Sequence, residues 1–169
     1  GRLPEARAWY EKSRQMAVAL KDQRGLGQAA QNLGILCQDE GEAARAQGDE
    51  AAARRSFNTA LASVDESLRI KKALGNQPGE ASSLFQLARI HLHLGNLAAA
   101  EHNAHAARQI RESLGRNDVW KDYNSLSEIA AAIGCAVSPW PVTLTPSGWA
   151  LDLDQLEALV RPETRLLVL

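Results

Sequence analysis

The sequence predicts an all-α protein, an α-solenoid of antiparallel helical hairpins, followed by a short β-α-β-like tail. Two observations predict the solenoid. A pattern of leucine, polar turn and helix begins at Leu20, Leu74 and Leu114, and each helix carries a large residue before a small one, as in Leu33 and Gly34. Apolar residues also recur at helical spacing between these points. Repeats of 20 to 50 residues are typical of solenoids, because one unit cannot bury its apolar face alone.

The repeat unit varies in length along the chain. The first two copies lie 54 residues apart and the last two lie 40 apart, so the first unit carries 14 additional residues, between Gly41 and Arg55. Two heptads lengthen each helix of a hairpin by about two turns and nearly preserve its facing. We therefore expect one long hairpin at 27–74. Its turn is predicted at Gly48 and Asp49, where glycine ends one helix and aspartate caps the next.

Six helices are expected in antiparallel order with short connections. Pro4 opens the first of them. They are predicted at residues 3–21, 27–47, 49–74, 79–94, 96–114 and 118–133. The first helix carries a stripe predicted to face inward, made of Ala6, Trp9, Ser13, Met16, Ala17 and Leu20. The return helix of the long hairpin is expected to bury Phe57, Leu61, Val64, Leu68 and Ile70.

Composition excludes several functional classes. A formal net charge of -1 and the lack of a basic stripe argue against nucleic-acid binding. The charges that alternate from Arg54 to Lys72, including Lys71, predict a solvated face. Cys37 and Cys135 have no metal-ligand spacing, and reduced thiols fit a cytoplasmic protein. No apolar run is long enough to cross a membrane.

The chain begins without methionine, inside a helical pattern, and stops inside an apolar run. We therefore expect it to be a piece of a longer protein.

Two segments carry a family resemblance. Residues 29–34 and 83–96 place large and small residues, a histidine and a turn glycine in the order found in tetratricopeptide repeats with units of about 40 residues. Residues 1–134 resemble that family. The resemblance implies superhelical stacking and a concave groove that binds a protein or peptide.

The helical period ends after Gly134, where residues 135–148 contain three of the six prolines. We expect an extended segment from Val137 to Leu144. A short helix capped by Asp152 or Asp154 and a strand at 165–169 are predicted to follow. The second strand of such a unit would run parallel to the first.

This tail resembles part of the large domain of fold-type-I pyridoxal-phosphate aminotransferases, over residues 149–169 and with a possible extension at 123–135. Residues 123–134 fit either the repeat pattern or this one. The chain contains no Ser-x-x-Lys lysine and no glycine-rich phosphate cradle. The resemblance therefore implies no catalytic position and no bound cofactor.

The histidines and tryptophans have structural and functional interpretations. Four histidines fall within 15 residues, but no third ligand is evident for a metal, and His91 is expected to pack inside its hairpin. Trp9 and Trp120 favour core or end packing over ligand stacking. Cys37 lies mid-helix among apolar neighbours, and no Ser-His-Asp arrangement is present, so we expect no catalytic residue and no metal site. The four histidines are His91, His93, His102 and His105.

Polar residues at spacings of 4, 3 and 4 predict a peptide-binding stripe on the first helix of each hairpin. The amides of Asn32 and Gln86 suit the backbone of an extended peptide, Arg89 suits an acidic side chain, and Glu128 suits a basic one. Ordinary exposed polar residues remain the alternative. The predicted binding residues are Gln28, Asn32, Asp39, Ser82, Gln86, Arg89, His93, Asn124 and Glu128.

The sequence therefore predicts a scaffold or adaptor module that binds a protein or peptide through its concave face and has no enzymatic activity. One alternative is an aminotransferase fragment fused to repeats. The other is a structural module that forms homo-oligomers through the exposed ends of the solenoid.

Overall fold

A computed structural model describes residues 3–115, 128–129, 131–132, 142–145 and 148–151. The chain divides into two compact units, Gly1–Ile129 and Ala130–Leu169. The division falls near the expected boundary at residue 134.

The described residues of the first unit form helices and the turns between them, which confirms the predicted helical class. Each helix packs against the next one in the chain. The two helices of the first complete hairpin have 24 residues each, and the two of the next hairpin have 17. The five helices are α1 Leu3–Ala19, α2 Gln23–Ala46, α3 Glu50–Ala73, α4 Gln77–His93 and α5 Leu97–Ser113. Of the predicted sixth helix, residues 128–129 and 131–132 are described, and they are helical.

The turn between α2 and α3 lies where glycine and aspartate predict it. Gly48 has a φ of 82°, a left-handed conformation that glycine adopts without the steric penalty of a side chain. The Asp49 carboxylate accepts a hydrogen bond from the backbone N–H of Ala52 at 2.8 Å. Asp22 and Asn76 cap α2 and α4 in the same way. These caps satisfy backbone donors that have no partner within the helix.

The main core lies between α2, α3 and α4. Phe57, Val64 and Ile90 are fully buried in it, and Leu61 and Leu68 pack at its edge. A second cluster contains Ala88 of α4, Ala100 and Ala104 of α5, and Ile129. None of the described helices has the length and hydropathy required to cross a membrane.

Gly34 permits the close approach of α2 and α3. A Cβ atom at this position would lie 2.3 Å from Cγ2 of Val64 and 3.3 Å from the carbonyl oxygen of Ala60. We expect Gly34→Ala to destabilise the protein by about 1–3 kcal/mol through overpacking, although alanine favours the helix. Urea unfolding followed by circular dichroism measures this change. A stabilised Gly34→Ala protein would contradict the packing described here.

The predicted inward stripe of α1 is wrong except at Ala6, which is partly buried, and Ala17, which is buried. Trp9, Met16 and Leu20 are 69%, 55% and 74% exposed. The helix packs on α2 through a neighbouring face whose members are at least half-buried, and small residues there allow close approach. That face contains Leu3, Ala6, Tyr10 and Ala17.

The second unit contains an antiparallel hairpin, so the predicted parallel β-α-β unit is not seen. Strands β1 (Val142–Thr145) and β2 (Gly148–Leu151) pair with Thr145 opposite Gly148. Only two residues separate the strands, a length that suits a hairpin, whereas a parallel crossover needs a dozen or more. The predicted helix after Asp152 or Asp154 and the strand at 165–169 lie outside the described residues.

Candidate functional site

The candidate site is the polar surface where α2 and α4 lie side by side. Near its beginning, the Gln31 amide donates a hydrogen bond to the Ser82 hydroxyl at 2.8 Å. Near its end, Nε2 of His93 lies 3.0 Å from a carboxylate oxygen of Glu42. Both contacts join residues 51 positions apart, so α2 and α4 run parallel with a constant register. We call this surface the α2–α4 face.

On α2, the three predicted binding residues reach solvent. Gln28 is exposed, and its amide donates to the Asn32 side-chain oxygen at 3.0 Å, which leaves the Asn32 nitrogen available as a donor. Asp39 is exposed. Partial desolvation, and then the neighbouring Glu42 carboxylate, raise the pKa of Asp39 above its usual value. The two neighbouring carboxylates of Asp39 and Glu42 together favour the binding of a cation near them.

On α4, the predicted residues differ in how accessible they are. Gln86 is only 7% exposed, so it cannot contact a peptide as the sequence predicts. Ser82 is half-buried and accepts the Gln31 hydrogen bond. Arg89 and His93 lie at the surface but already contact a carboxylate on α2. Gln86 is buried because it lies on the side of α4 that packs against α2, the side that also carries Ser82 and His93.

Glu42 is the acceptor that sequence reasoning missed. One of its oxygens accepts from Gln38 at 2.7 Å, lies 3.0 Å from His93 and lies 3.5 Å from Arg89. Burial alone would raise its pKa, but the Gln38 hydrogen bond and the His93 and Arg89 interactions lower it below its usual value. Glu42 belongs to the inserted heptads, which the sequence indicated only as added helix length.

His93 anchors the end of α4 against the long hairpin. Its ring stacks on Phe57 with centroids 4.7 Å apart and planes 5° apart. Burial lowers the His93 pKa, while Glu42 opposes that effect. Arg45 donates to the His93 carbonyl at 3.0 Å and lies over the Phe57 ring at 4.9 Å. The inserted turns of α2 and α3 therefore hold α4 in place.

The third predicted row is only partly described. Glu128 is exposed on its short helical segment, and Asn124 lies outside the described residues.

A buried polar cluster lies between α2, α3 and α4, and it overturns the prediction that Lys71 faces solvent. Lys71 is 6% exposed, and its amine donates to the Gln31 side-chain oxygen and to the Ser83 hydroxyl, the latter at 3.2 Å. The hydroxyl oxygens of Ser67 and Ser83 lie 3.3 Å apart, and Ser67 donates to the Gly27 carbonyl at 2.8 Å. Burial lowers the Lys71 pKa to about 8.

A lysine with a lowered pKa beside a serine is an arrangement that can activate a nucleophile. Ser83 and Ser67, however, both have 0% exposure, so no substrate reaches either hydroxyl in this conformation. The side chains around Lys71 connect three helices. This cluster is therefore assigned a structural role.

A cavity of about 500 Å³ lies between α1, α2 and α3, with Leu33 and Cys37 among its lining residues. Cys37 is buried, and burial raises its thiol pKa, which makes it a weak nucleophile. Arg7 and Arg14 also line the cavity, but they contact Glu40 at 2.5 Å and Glu66 at 3.0 Å.

The other histidines, His91, His102 and His105, do not form a cluster of candidate functional residues. His91 is partly buried, and burial lowers its pKa; His102 is exposed, and His105 lies 3.8 Å from Glu101. Within the described residues, no three histidine, cysteine, aspartate or glutamate side chains lie close enough together to hold a metal ion.

Part of the chain is similar to a known enzyme. No protein-family model matches the chain. Capreomycidine synthase of Streptomyces vinaceus, a pyridoxal-phosphate enzyme, is 46% identical over 46 residues, which cover 27% of this chain. The matched segment spans 12% of the length of that relative.

Proposed function

We propose that residues 1–129 form a short solenoid of the tetratricopeptide type, which binds an extended peptide or a protein segment along the α2–α4 face without catalysing a reaction. The observation that carries the proposal is the parallel register of α2 and α4, fixed by the Gln31–Ser82 and Glu42–His93 contacts. Parallel neighbouring helices join their polar side chains into one continuous surface. An extended peptide can lie along such a surface.

The charges of this face favour a basic ligand. Arg89 and His93 both contact Glu42, so their capacity to attract an acidic side chain is reduced. Asp39 has no ion pair among the described residues, and its pKa is raised first by partial desolvation and then by the neighbouring Glu42 carboxylate. A lysine or arginine of the ligand would pair with Asp39, while Gln28 and Asn32 hydrogen-bond its backbone. This reverses the ligand charge expected from Arg89 alone.

We expect peptides selected by the chain from a random displayed library to be enriched in lysine and arginine. Asp39→Asn should weaken their binding by about tenfold, because truncating one member of an interfacial charge pair removes roughly 1–2 kcal/mol. Isothermal titration calorimetry with a selected peptide measures this change.

The matched control is Asp65→Asn, which removes an exposed carboxylate from α3. Its affinity for the peptide should equal that of the unchanged chain. Selected peptides without basic residues, or equal losses for Asp39→Asn and Asp65→Asn, would refute the charge assignment.

A second candidate function is that of an aminotransferase fragment joined to helical repeats. The partial match to capreomycidine synthase supports it. The Lys71 amine does not fit pyridoxal phosphate, because it is buried and enclosed by Gln31 and Ser83. The full-length gene product should then show pyridoxal-phosphate absorbance that residues 1–169 alone do not show.

A further inference from the structure

The outer surface of α1 carries large apolar side chains that no described residue covers. Trp9, Met16 and Leu20 are 69%, 55% and 74% exposed, and Ser13 between them is exposed as well. Leu20 directly follows α1, and its backbone N–H donates to the Met16 carbonyl at 2.9 Å, so the helical geometry continues to it. At 100° per residue, the four positions fall within about 60° of one another around the helix axis. We call them the α1 stripe. Scattered exposed apolar residues are ordinary, but a contiguous stripe marks an interaction surface.

We propose that the α1 stripe is a homodimer interface, in which α1 of one chain packs antiparallel against α1 of a second copy. The positions 9, 13, 16 and 20 are separated by 4, 3 and 4 residues, a spacing that reads the same in both directions. A twofold axis requires this self-complementarity, because the same patch must serve both partners. Neighbouring ridges at 3 and 4 residues are also those that pack helices together.

The side-chain sizes match across such an axis. With the axis between Arg14 and Gln15, Trp9 lies opposite Leu20 of the second copy, and Met16 lies opposite Ser13. Each large side chain therefore meets a smaller or medium one, and the small Ser13 leaves space for the flexible Met16. The amine of Lys12 lies 5.7 Å from the Trp9 ring centroid, so its aliphatic part borders the stripe without placing a charge at its centre.

The available area suits a weak dimer. An aromatic side chain presents roughly 150–250 Å², so the three large side chains expose on the order of 400 Å² per copy. With flanking residues, the two copies would bury about 1,000 Å², which is near the lower limit for a specific interface. Weak, transient complexes lie at this end of the size range, so we expect a dissociation constant on the order of 10 µM. This inference is independent of peptide binding by the α2–α4 face.

Sedimentation equilibrium of the 169-residue chain over about 1–300 µM tests the proposal. We expect a reversible monomer–dimer equilibrium, and we expect Trp9→Glu and Met16→Glu each to weaken it at least about tenfold. Both positions are exposed, so circular dichroism of the variants should match that of the unchanged chain. Ala62→Glu, at an exposed position of α3, is the matched control and should leave dimerisation unchanged.

Two results would overturn the proposal. A chain that stays monomeric throughout this range does not use the stripe for self-association, and the stripe would then serve a partner of different sequence. A dimer that persists unchanged in Trp9→Glu and Met16→Glu forms through another surface.

Discussion

Phe57→Ala is expected to cause the largest loss of stability of any single substitution considered, about 3–5 kcal/mol. Phe57 has no exposed surface and lies in the core between α2, α3 and α4. The Phe57 ring stacks on His93, lies under the Arg45 guanidinium and packs against Gly41, so this substitution removes all three contacts. The cavity that remains cannot collapse easily, because helices on several sides hold its walls apart.

Urea unfolding of the chain measures this loss, and Leu61→Ala is the matched control. Leu61 lies on the same helix but is only partly buried at the edge of the core, so we expect a smaller loss of about 1–2 kcal/mol. A milder variant, Phe57→Leu, gives a second readout. Removing the aromatic cover should raise the His93 pKa toward its usual value, which proton NMR measures. Equal losses for Phe57→Ala and Leu61→Ala would contradict the central position of Phe57.

Lys71 is expected to make the stability of the protein depend on pH in an unusual direction. Its folded-state pKa is about 8, against 10.5 for an ordinary lysine, because burial disfavours the charged amine. The described residues supply it with amide and hydroxyl partners but no carboxylate. The charged, buried Lys71 amine therefore lowers the free energy of unfolding, and this reduction is the penalty that depends on pH.

The penalty is fully present below pH 8, where the amine is protonated in both states. Between pH 8 and 10.5, the unfolded chain binds this proton and the folded chain does not, so stability rises with pH. The free energy of unfolding should gain up to about 3 kcal/mol from this group over that interval, since one pKa unit corresponds to about 1.4 kcal/mol.

Lys71→Met isolates this contribution from the other groups that titrate at high pH. The stability of Lys71→Met relative to the unchanged chain should be greatest below pH 8 and should fall by about 2–3 kcal/mol by pH 10.5. Lys72→Met is the control, because the Lys72 amine is exposed and lies 3.6 Å from Glu80. A stability difference for Lys71→Met that does not change with pH would show that the Lys71 amine is solvated.

The sequence predicted the helices well because local signals carry most of that information. Gly48 and Asp49 mark a turn, and the 3.6-residue period shows which residues belong to a helix. The buried positions of Phe57 and Val64 follow from that period. The inward position predicted for Trp9 is wrong for a different reason. An apolar stripe shows which face of a helix is hydrophobic, but the sequence alone does not say whether a neighbouring element covers that face.

The α2–α4 face was harder to predict, because it depends on how neighbouring helices align. Sequence repeats place Asn32 and Gln86 at equivalent positions, 54 residues apart. Ser82 and His93, on the same side of α4 as Gln86, both contact α2, so this side of α4 is covered and Gln86 is buried. The same alignment brings Glu42 to Arg89. Lys71 was misassigned because an alternation of charges does not reveal that one long side chain extends between two helices.

The central claim is that an extended, basic peptide binds along the α2–α4 face. The most direct test is an NMR titration of the ¹⁵N-labelled chain with a lysine- and arginine-rich peptide selected by that chain. We expect the backbone amides of α2 around Gln28, Asn32 and Asp39 to shift together, along with those of α4 near Ser82 and Arg89. Shifts confined to α3 and α5, with the α2–α4 face unchanged, would contradict it.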